Sequence, residues 1–382
     1  MNRKVGIAIA VSLIVIVFLS LFLLFNWGSS NQTPGREFYV GVEYAYGNQS
    51  SEVIALVDKV KDYTNLFVFG AEMTSDGLDL TKACNYVYEA NLSFIVQFKG
   101  LDKYNYNITT WMLEAREKYG AQFLGIYRYD EPGGHQIDDT PDLQLINSTV
   151  ISPDATYAQV SKAYVGNLSY FPAYYLQFAP KMFTADYALY WFDYKANYTT
   201  LFGEFVGNES RQTHIALCRG AAEAFNKDWG TIITWKYFNE VPYLEDGEEL
   251  YNDLSLAYSA GAKYAVVFSY PKIGEYGTLT DDHFDALQRF WNTLHSNPSS
   301  FGVNNAEVAY VVPADYGFGF RRPDDSIWGL FPADNLSPKI YDDVQLLTGR
   351  YGAHLNIIYD EPIIAPLLAN YNEVFYWNQT IS

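Results

Sequence analysis

Apolar runs that end in turn residues alternate with helix-like segments over most of this chain. The strand-like runs lie within 37–47, 65–72, 92–100, 123–134, 186–194, 230–237 and 263–270. Between them, apolar residues at every third or fourth position predict amphipathic helices, for example over 50–63 and 281–294. Repeated strand–helix units of this length indicate parallel strands joined by crossover helices. We therefore predict an α/β fold with a (β/α)8 barrel over 36–298, although only seven of its strands are recognisable.

Two features of this architecture stay open. The eighth strand lies either in the irregular insertion 132–154 or at 306–313, which would then close the barrel. A doubly wound open sheet is the main rival fold, but no Gly-x-Gly-x-x-Gly and no phosphate-binding loop follows any strand. Residues 295–305 are rich in Ser, Asn, Pro and Gly, which indicates a linker. Beyond it, a short strand–helix series predicts a small C-terminal α/β module over 299–382.

The first 35 residues have a different pattern. Residues 5–25 contain no charge and no proline, and at about 1.5 Å per residue they span roughly 30 Å, the thickness of a bilayer core. Arg3 and Lys4 precede this run, and positive residues stay on the cytoplasmic side. We predict a cytoplasmic stub, a single transmembrane anchor and a short linker within 1–35, with the rest of the chain outside the cell. A cleaved signal peptide is the alternative, although its apolar core would be only about 7–15 residues long.

Composition agrees with an external, carbohydrate-contacting protein. The net charge of −19 argues against a nucleic-acid partner, which would require clustered Lys and Arg. The 34 Tyr, 25 Phe and eight Trp favour a carbohydrate partner, because aromatic faces stack on sugar rings, although a large aromatic core accounts for most of them. Nine Asn-x-Ser/Thr sequons suggest a glycosylated ectodomain. They begin at Asn31, Asn48, Asn91, Asn107, Asn147, Asn167, Asn197, Asn208 and Asn378.

Several catalytic chemistries have no signature in the chain. The two cysteines, Cys84 and Cys218, lie in helix-like runs and are predicted to be buried free thiols. The five histidines are scattered without the spacing of a zinc site. No Gly-x-Ser-x-Gly turn supplies a serine nucleophile. We therefore expect no metal and no cofactor.

Carboxylates stand where several predicted strands end. In a (β/α)8 barrel the catalytic groups come from the C-terminal ends of the strands, so these acids should converge on one rim. They are Glu43, Glu72, Asp130, Glu131, Asp193 and, after Asn239, Glu240. Glycoside hydrolysis requires two carboxyl groups, one protonated to assist the leaving oxygen and one acting as nucleophile or base. The pattern therefore predicts a glycosidase-like site.

The candidate catalytic residues are Glu131, Asp193 and Glu240. Glu131 precedes the rigid Pro132 and is predicted to be the general acid, because a buried member of the Asp130–Glu131 pair would retain its proton more easily. Asp193 is preferred as the second carboxylate because aromatic residues surround it in the sequence, and Glu240 is the alternative. The predicted substrate-binding residues are Glu43, Glu72, Tyr127, Asp130, Trp191, Trp235, Lys236 and Asn239.

The segment "GIYRYDEPGG" resembles the strand-end Y-x-x-DEP pattern of several (β/α)8 glycoside hydrolases and their relatives, here Tyr127 to Pro132. In the clan that includes the family-42 β-galactosidases, the acid/base follows the fourth strand, usually within Asn-Glu. The resemblance implies that Glu131 is this acid, although Asp130 replaces the Asn. The clan's nucleophile after the seventh strand has no counterpart, because "VVFSYPK" contains no acid. The tail resembles the flavodoxin-like modules that follow some such barrels.

Together these features predict a membrane-anchored glycoside hydrolase that acts outside the cytoplasm. The alternative is a barrel that binds carbohydrate or supports the cell envelope without catalysis.

Overall fold

The computed structural model describes residues 36–99, 104–138, 143–152, 154–236 and 240–381. The predicted anchor over 5–25, the sequon at Asn31 and the candidate Asn239 lie outside these residues. Within the described ranges, no helix combines the length and the apolar character needed to cross a bilayer. Residues Phe38–Ser382 form one compact unit.

Eight parallel strands form a closed barrel, as predicted. Each strand pairs with the next along the chain, and the eighth pairs with the first. The strands are β1 (Tyr39–Tyr44), β2 (Leu66–Phe69), β3 (Ser93–Phe98), β4 (Phe123–Arg128), β5 (Met182–Asp186), β6 (Thr200–Phe205), β7 (Asp228–Ile233) and β8 (Tyr264–Val267). Their C-terminal ends all meet at one end of the barrel, which we call the barrel mouth.

Helices connect the strands and cover the barrel. Several begin at residues whose side chains accept backbone N–H groups of the first turn, which is the usual way a helix start is stabilised; Asp76, Asn107 and Ser210 are examples. The helices are α1 (Ser50–Val60), α2 (Gly77–Glu89), α3 (Ile108–Tyr119), α4 (Pro132–Ile137), α5 (Tyr157–Leu168), α6 (Tyr170–Tyr175), α7 (Tyr190–Lys195), α8 (Arg211–Phe225), α9 (Gly247–Ser259), α10 (Asp281–Ser296) and α11 (Ser337–Tyr351).

The predicted strand over 186–194 is wrong. Strand β5 ends at Asp186, and residues 190–195 form helix α7. Five consecutive residues of this helix, Tyr190 to Tyr194, are buried, so it lacks the polar face that makes a helix recognisable. The missing strand is β6, which lies neither in the insertion nor at 306–313. All six of its residues are buried, including the polar Thr200 and the acidic Glu204.

Alternating residues of the strands fill the barrel interior. Its core contains Leu66, Val68, Ile95, Phe183, Phe202, Ile232 and Val266. Because side chains on a strand alternate between two faces, the residue two positions further on points to the same side. The interior residue Phe202 is thus followed, toward the barrel mouth, by Glu204. This period of two determines which acids reach the mouth from inside.

Residue 308 begins a separate three-stranded parallel sheet. Its strands are β9 (Val308–Val312), β10 (Leu355–Tyr359) and β11 (Glu373–Tyr376), in the order β10-β9-β11. The Arg219 guanidinium on helix α8 links it to the barrel by donating to the carbonyl oxygens of Ala353 and Leu355, at 2.6 and 2.9 Å. A small C-terminal sheet is therefore confirmed. The domain boundary after residue 298 and the flavodoxin-like character stay predictions.

Candidate active site

A cavity of about 370 Å³ opens at the barrel mouth, and we call it the mouth cavity. Seven strands, or the residues that directly follow them, contribute to its wall. These residues are Glu43, Gln97, Tyr127, Ala185, Glu204, Ile232 and Phe268. Since active sites of (β/α)8 barrels lie at this end, the mouth cavity is the candidate active site.

Two acids of the mouth cavity, Glu43 and Glu204, come from inside the barrel. Each is 4% exposed. Burial and the charge of nearby Asp130 raise the pKa of Glu43 to about 8. Burial also raises the pKa of Glu204 well above its usual range, and the charges of Glu131 and Asp130 raise it further. Both groups therefore hold protons more tightly than exposed glutamates do.

The carboxyl groups of Glu131 and Glu204 are hydrogen-bonded to each other. Such a bond requires a proton on one of the two groups. Burial and the charge of Asp130 raise the pKa of Glu131 to about 8, whereas the hydrogen bond from Glu204 acts to lower it. Glu204 is the more deeply buried member of the pair, and Glu131 is half-buried. The pair therefore holds at least one proton at the wall of an open cavity.

The backbone around Glu131 is strained. Tyr129 has φ 61° and Glu131 has φ 46°, in the left-handed region that non-glycine residues seldom adopt. The Glu131 N–H donates to the Ala185 carbonyl oxygen at 3.1 Å, which ties this conformation to strand β5. Conformations of this kind cost about 1–3 kcal/mol each and cluster at functional sites. The turn directs Glu131 toward Glu204 instead of continuing the strand.

Asp186 explains the Pro-Gly-Gly sequence after Glu131. Its carboxylate accepts the backbone N–H groups of Gly133 and Gly134, at 2.6 and 2.9 Å. A Cβ atom at Gly133 would lie 2.6 Å from this carboxylate, and one at Gly134 would lie 2.2 Å from the Tyr187 ring. Only glycine allows helix α4 to begin this close to β5. The glycines thereby support the turn that presents Glu131.

The remaining wall combines aromatic rings with charged groups from outside the barrel. Trp235 stands beside Phe268, with ring centroids 5.6 Å apart, and donates its indole N–H to the Tyr270 carbonyl oxygen at 2.8 Å. Arg321, from the long loop after β9, reaches the cavity and pairs with Asp138 at 2.6 Å. Its guanidinium lies 5.5 Å from the centroid of the Tyr187 ring. This loop therefore contributes a cation to the rim of the mouth cavity.

Five of the predicted site residues line the mouth cavity: Glu43, Tyr127, Asp130, Glu131 and Trp235. Glu43 and Tyr127 project from inside the barrel, and the other three follow strand ends. The Tyr127 hydroxyl donates to the Asp130 carboxylate and accepts the Ala185 N–H at 2.9 Å. Asp130 itself is exposed at the rim.

The other predicted residues lie elsewhere. Asp193 is completely buried on helix α7, where it accepts the Tyr164 hydroxyl at 2.8 Å and is hydrogen-bonded to Asp186. Trp191 packs toward the C-terminal sheet, with its indole N–H donating to Glu361 at 3.1 Å. Neither side chain lines the mouth cavity.

Three more predicted residues lie outside the mouth cavity. Glu72 is exposed and forms an ion pair with Lys99. The Lys236 ammonium pairs with Glu249 at 2.6 Å, and Glu240 is exposed. Asn239 belongs to the residues that are not described.

Glu204 is an acid of the mouth cavity that sequence reasoning missed. The segment "TLFGEF" carries the signal, because Phe202 and Glu204 are two positions apart and must share a face once this segment is recognised as a strand. Gln97 has the same relation to Ile95 on β3. The rim residues Asp138, Tyr187 and Arg321 have no such pattern, because loops bring them to the cavity.

The described residues contain no group of three or more His, Cys, Asp or Glu side chains arranged to bind a metal ion. Cys84 and Cys218 are buried free thiols, as predicted.

Comparisons with known proteins support the fold. No protein-family model matches this chain, and no curated protein matches it in sequence. Among solved structures, α-L-fucosidase isoenzyme 2 from Paenibacillus thiaminolyticus shares 10% identity, with 88% of this chain covered and a TM-score of 0.53. This chain spans only 59% of the length of that fucosidase chain.

Two further solved structures are similar at lower scores. A GH5_18 protein from Bifidobacterium longum subsp. longum, in complex with Manβ1-4GlcNAc, shares 11% identity over 90% of this chain and 97% of its own, with a TM-score of 0.48. A β-1,4-D-mannanase from Cryptopygus antarcticus shares 13% identity over 66% of this chain and 89% of its own, with a TM-score of 0.40. In fold, this chain is a (β/α)8 barrel, and the solved barrels similar to it include glycoside hydrolases.

Proposed function

We propose that this protein is a glycoside hydrolase whose paired carboxyl groups are Glu131 and Glu204. The observation that carries the proposal is the hydrogen bond between these two side chains at the wall of the mouth cavity. Glycosidic bond cleavage requires one protonated and one ionised carboxyl group on either side of the bond. In the state that holds one proton, such a pair supplies both forms at the same pH.

We assign the two roles from burial, because the more deeply buried carboxyl ionises less readily. Glu204 would hold the proton and act as general acid on the leaving oxygen, while Glu131 would act as nucleophile or base. This reverses the role that the sequence resemblance implies for Glu131. Working glycosidases hold their carboxyl groups about 5 Å or more apart, so the sugar must enter between Glu131 and Glu204 and separate them. The rings of Trp235, Phe268 and Tyr187 would then contact the sugar.

The role assignment can be tested with aryl glycosides of different leaving groups. A general acid is dispensable when the leaving group is already acidic, so Glu204→Ala should retain far more activity on dinitrophenyl glycosides than on unactivated ones. Glu131→Ala should be inactive on both, and added azide should restore turnover if Glu131 is a nucleophile. The opposite pattern would exchange the two roles. Glu240→Ala is the matched control, since Glu240 is exposed and lies outside the cavity.

Carbohydrate binding without catalysis is the second candidate function. It is favoured by the end of strand β7, where Thr234 and Trp235 stand in place of an acid. Under this proposal the purified protein would bind oligosaccharides in titration calorimetry, and a broad glycan panel would show no cleavage. Trp235→Ala should then weaken binding, and Glu131→Gln should leave it nearly unchanged.

We also propose that the protein is a glycosylated, membrane-anchored protein that faces away from the cytoplasm. Support comes from the uncharged run over 5–25 and from the sequons. Of the eight sequon asparagines in the described residues, seven are exposed and Asn147 is half-buried. Alkaline extraction of membranes should leave the protein in the pellet, and enzymatic deglycosylation should increase its gel mobility. Release of the protein by alkali would contradict the membrane anchor, and an unchanged gel mobility would contradict glycosylation.

A further inference from the structure

A second cavity, of about 620 Å³, lies beside the barrel mouth, and we call it the side cavity. It shares two lining residues, Gln97 and Asp130, with the mouth cavity, so the two cavities are adjacent. A ligand that extends past Asp130 from the Glu131–Glu204 pair would therefore enter the side cavity. None of the functions proposed above uses this space.

Arg128 is the unusual residue of the side cavity. It ends strand β4, and because Tyr127 points into the barrel, Arg128 points outward. The residue is only 8% exposed. Its guanidinium lies 5.6 and 5.4 Å from the ring centroids of Phe171 and Tyr175, and Nη1 donates to the Phe98 carbonyl oxygen at 3.0 Å.

This buried cation lacks an anionic partner within the described part of the chain. No described carboxylate forms an ion pair with Arg128, and its buried Nε has no hydrogen-bond acceptor there. A guanidinium carries five N–H donors, of which the described contacts use one. A buried charge without a counterion is costly, so such a group is retained where a ligand completes its environment.

The charges of the two cavities are opposite in character. Among the described residues, the mouth cavity is lined by six acids and one arginine. The described lining of the side cavity contains Arg128, Lys99 and His135 and a single acid, Asp130. Lys99 pairs with Glu72, and Nε2 of His135 lies 3.7 Å from the Glu131 carboxyl group, so Arg128 is the member of this set without a carboxylate partner among the described residues. The rings of Tyr129 and Phe171, with centroids 5.0 Å apart, provide an aromatic wall beside it.

We infer that the side cavity is a subsite for an anionic group on the glycan, with Arg128 as its principal ligand. The inference rests on the proposed carbohydrate function and specifies its substrate class as acidic glycans. A carboxylate of a uronic acid or a sulfate ester would satisfy the free guanidinium donors, since both present oxygens that accept paired N–H bonds. Lys99 would add a second, solvent-exposed charge at the rim of the subsite.

Binding measurements with matched oligosaccharides test this inference. The probes are an oligogalacturonate, a sulfated galactan oligosaccharide and a neutral galacto-oligosaccharide of equal length, titrated into the full-length Glu204→Gln protein. At least one anionic probe should bind about 10-fold or more tightly than the neutral one, and its advantage should shrink in high salt. The better anionic probe identifies the group. Equal affinity for all three probes would overturn the inference.

Variants of Arg128 and Lys99 test whether the preference for anionic probes arises in the side cavity. Arg128→Gln should abolish the anionic preference and leave the affinity for the neutral probe unchanged, and Arg289→Gln, an exposed arginine paired with Glu248, is the matched control. If Arg128→Gln does not fold, Lys99→Ala reports on the same subsite and should reduce the preference about threefold. An anionic preference that survives every foldable variant would place the site elsewhere and contradict the inference.

The binding measurements test the anionic subsite independently of the proposed hydrolase activity. Anionic preference without cleavage of any probe by the unmodified protein would support the subsite and refute the hydrolase. Cleavage of neutral and anionic probes with equal kcat/KM would refute the subsite and support the hydrolase.

Discussion

Two carboxyl pairs near the barrel mouth look alike and have different surroundings. Glu131–Glu204 and Asp186–Asp193 are each joined by a hydrogen bond between carboxyl groups, and burial raises the pKa of all four. Only the Glu pair lines the mouth cavity. Both aspartates are 0% exposed. Neighbouring acids with raised pKa values therefore do not by themselves identify a reaction centre.

The two pairs also differ in how many backbone hydrogen bonds their carboxyl groups accept. Asp186 accepts four backbone N–H groups, from Gly133, Gly134, Tyr187 and Ala188. Its role is to position the turn that carries Glu131. The Glu pair contacts open space instead, where a substrate could replace the bond between its members. Accessibility, together with hydrogen-bonding groups still available to a ligand, distinguishes the candidate catalytic pair from the structural one.

The largest expected effect concerns activity. Glu204→Gln should reduce kcat/KM on an unactivated glycoside by about 10²–10⁴-fold, because the amide cannot donate the catalytic proton. Asp193→Asn should retain most of the activity, because the buried, proton-retaining Asp193 does not reach the cavity. Steady-state kinetics on the purified proteins measure both. An equal loss in the two variants would erase the distinction between the pairs.

The second expected effect concerns stability. Asp186→Ala should lower the free energy of unfolding by about 3–5 kcal/mol, because four backbone N–H groups, three of them in buried hydrogen bonds, lose their acceptor. Glu204→Gln should change it by much less, because a glutamine amide at this position can still donate a hydrogen bond to Glu131. Urea denaturation followed by tryptophan fluorescence measures the difference. A loss below about 1 kcal/mol for Asp186→Ala would contradict the positioning role.

The third expected effect is a pH dependence of stability. Glu43 has a pKa of about 8 in the folded protein and about 4.5 when unfolded, so between these values the folded state binds the extra proton. The stability it contributes is complete below pH 4.5 and is lost as the pH rises through about 8. Glu43→Gln should flatten this decline by up to about 1 kcal/mol per pH unit. Unchanged slopes between pH 5 and 8 would show that Glu43 does not retain its proton.

The smallest expected effect comes from Glu240. Glu240→Gln should leave kcat/KM unchanged and alter the free energy of unfolding by less than about 0.5 kcal/mol, because the residue is exposed and outside both cavities. Kinetics and denaturation under the same conditions as above provide the measurement. A large loss of activity would return Glu240 to the catalytic candidates.

The local sequence pattern alone determined the fold class and pointed to Glu131, one of the two residues of the candidate pair. Alternating strands and helices predicted the parallel barrel, and the acids after β4 followed from the rule that catalytic groups gather at strand C-termini. That part was predictable because strand period, turn residues and helix spacing are properties of neighbouring residues.

Tertiary structure alone decided which acids meet. Helix α7 is buried on every side and therefore resembles a strand in sequence, so Asp193 was expected at the mouth and Glu204 was overlooked. The position of Glu204 depends on closing eight strands in register, and the burial of Asp193 depends on packing by Tyr164 and Asp186. These are contacts between distant parts of the chain, and no local pattern encodes them.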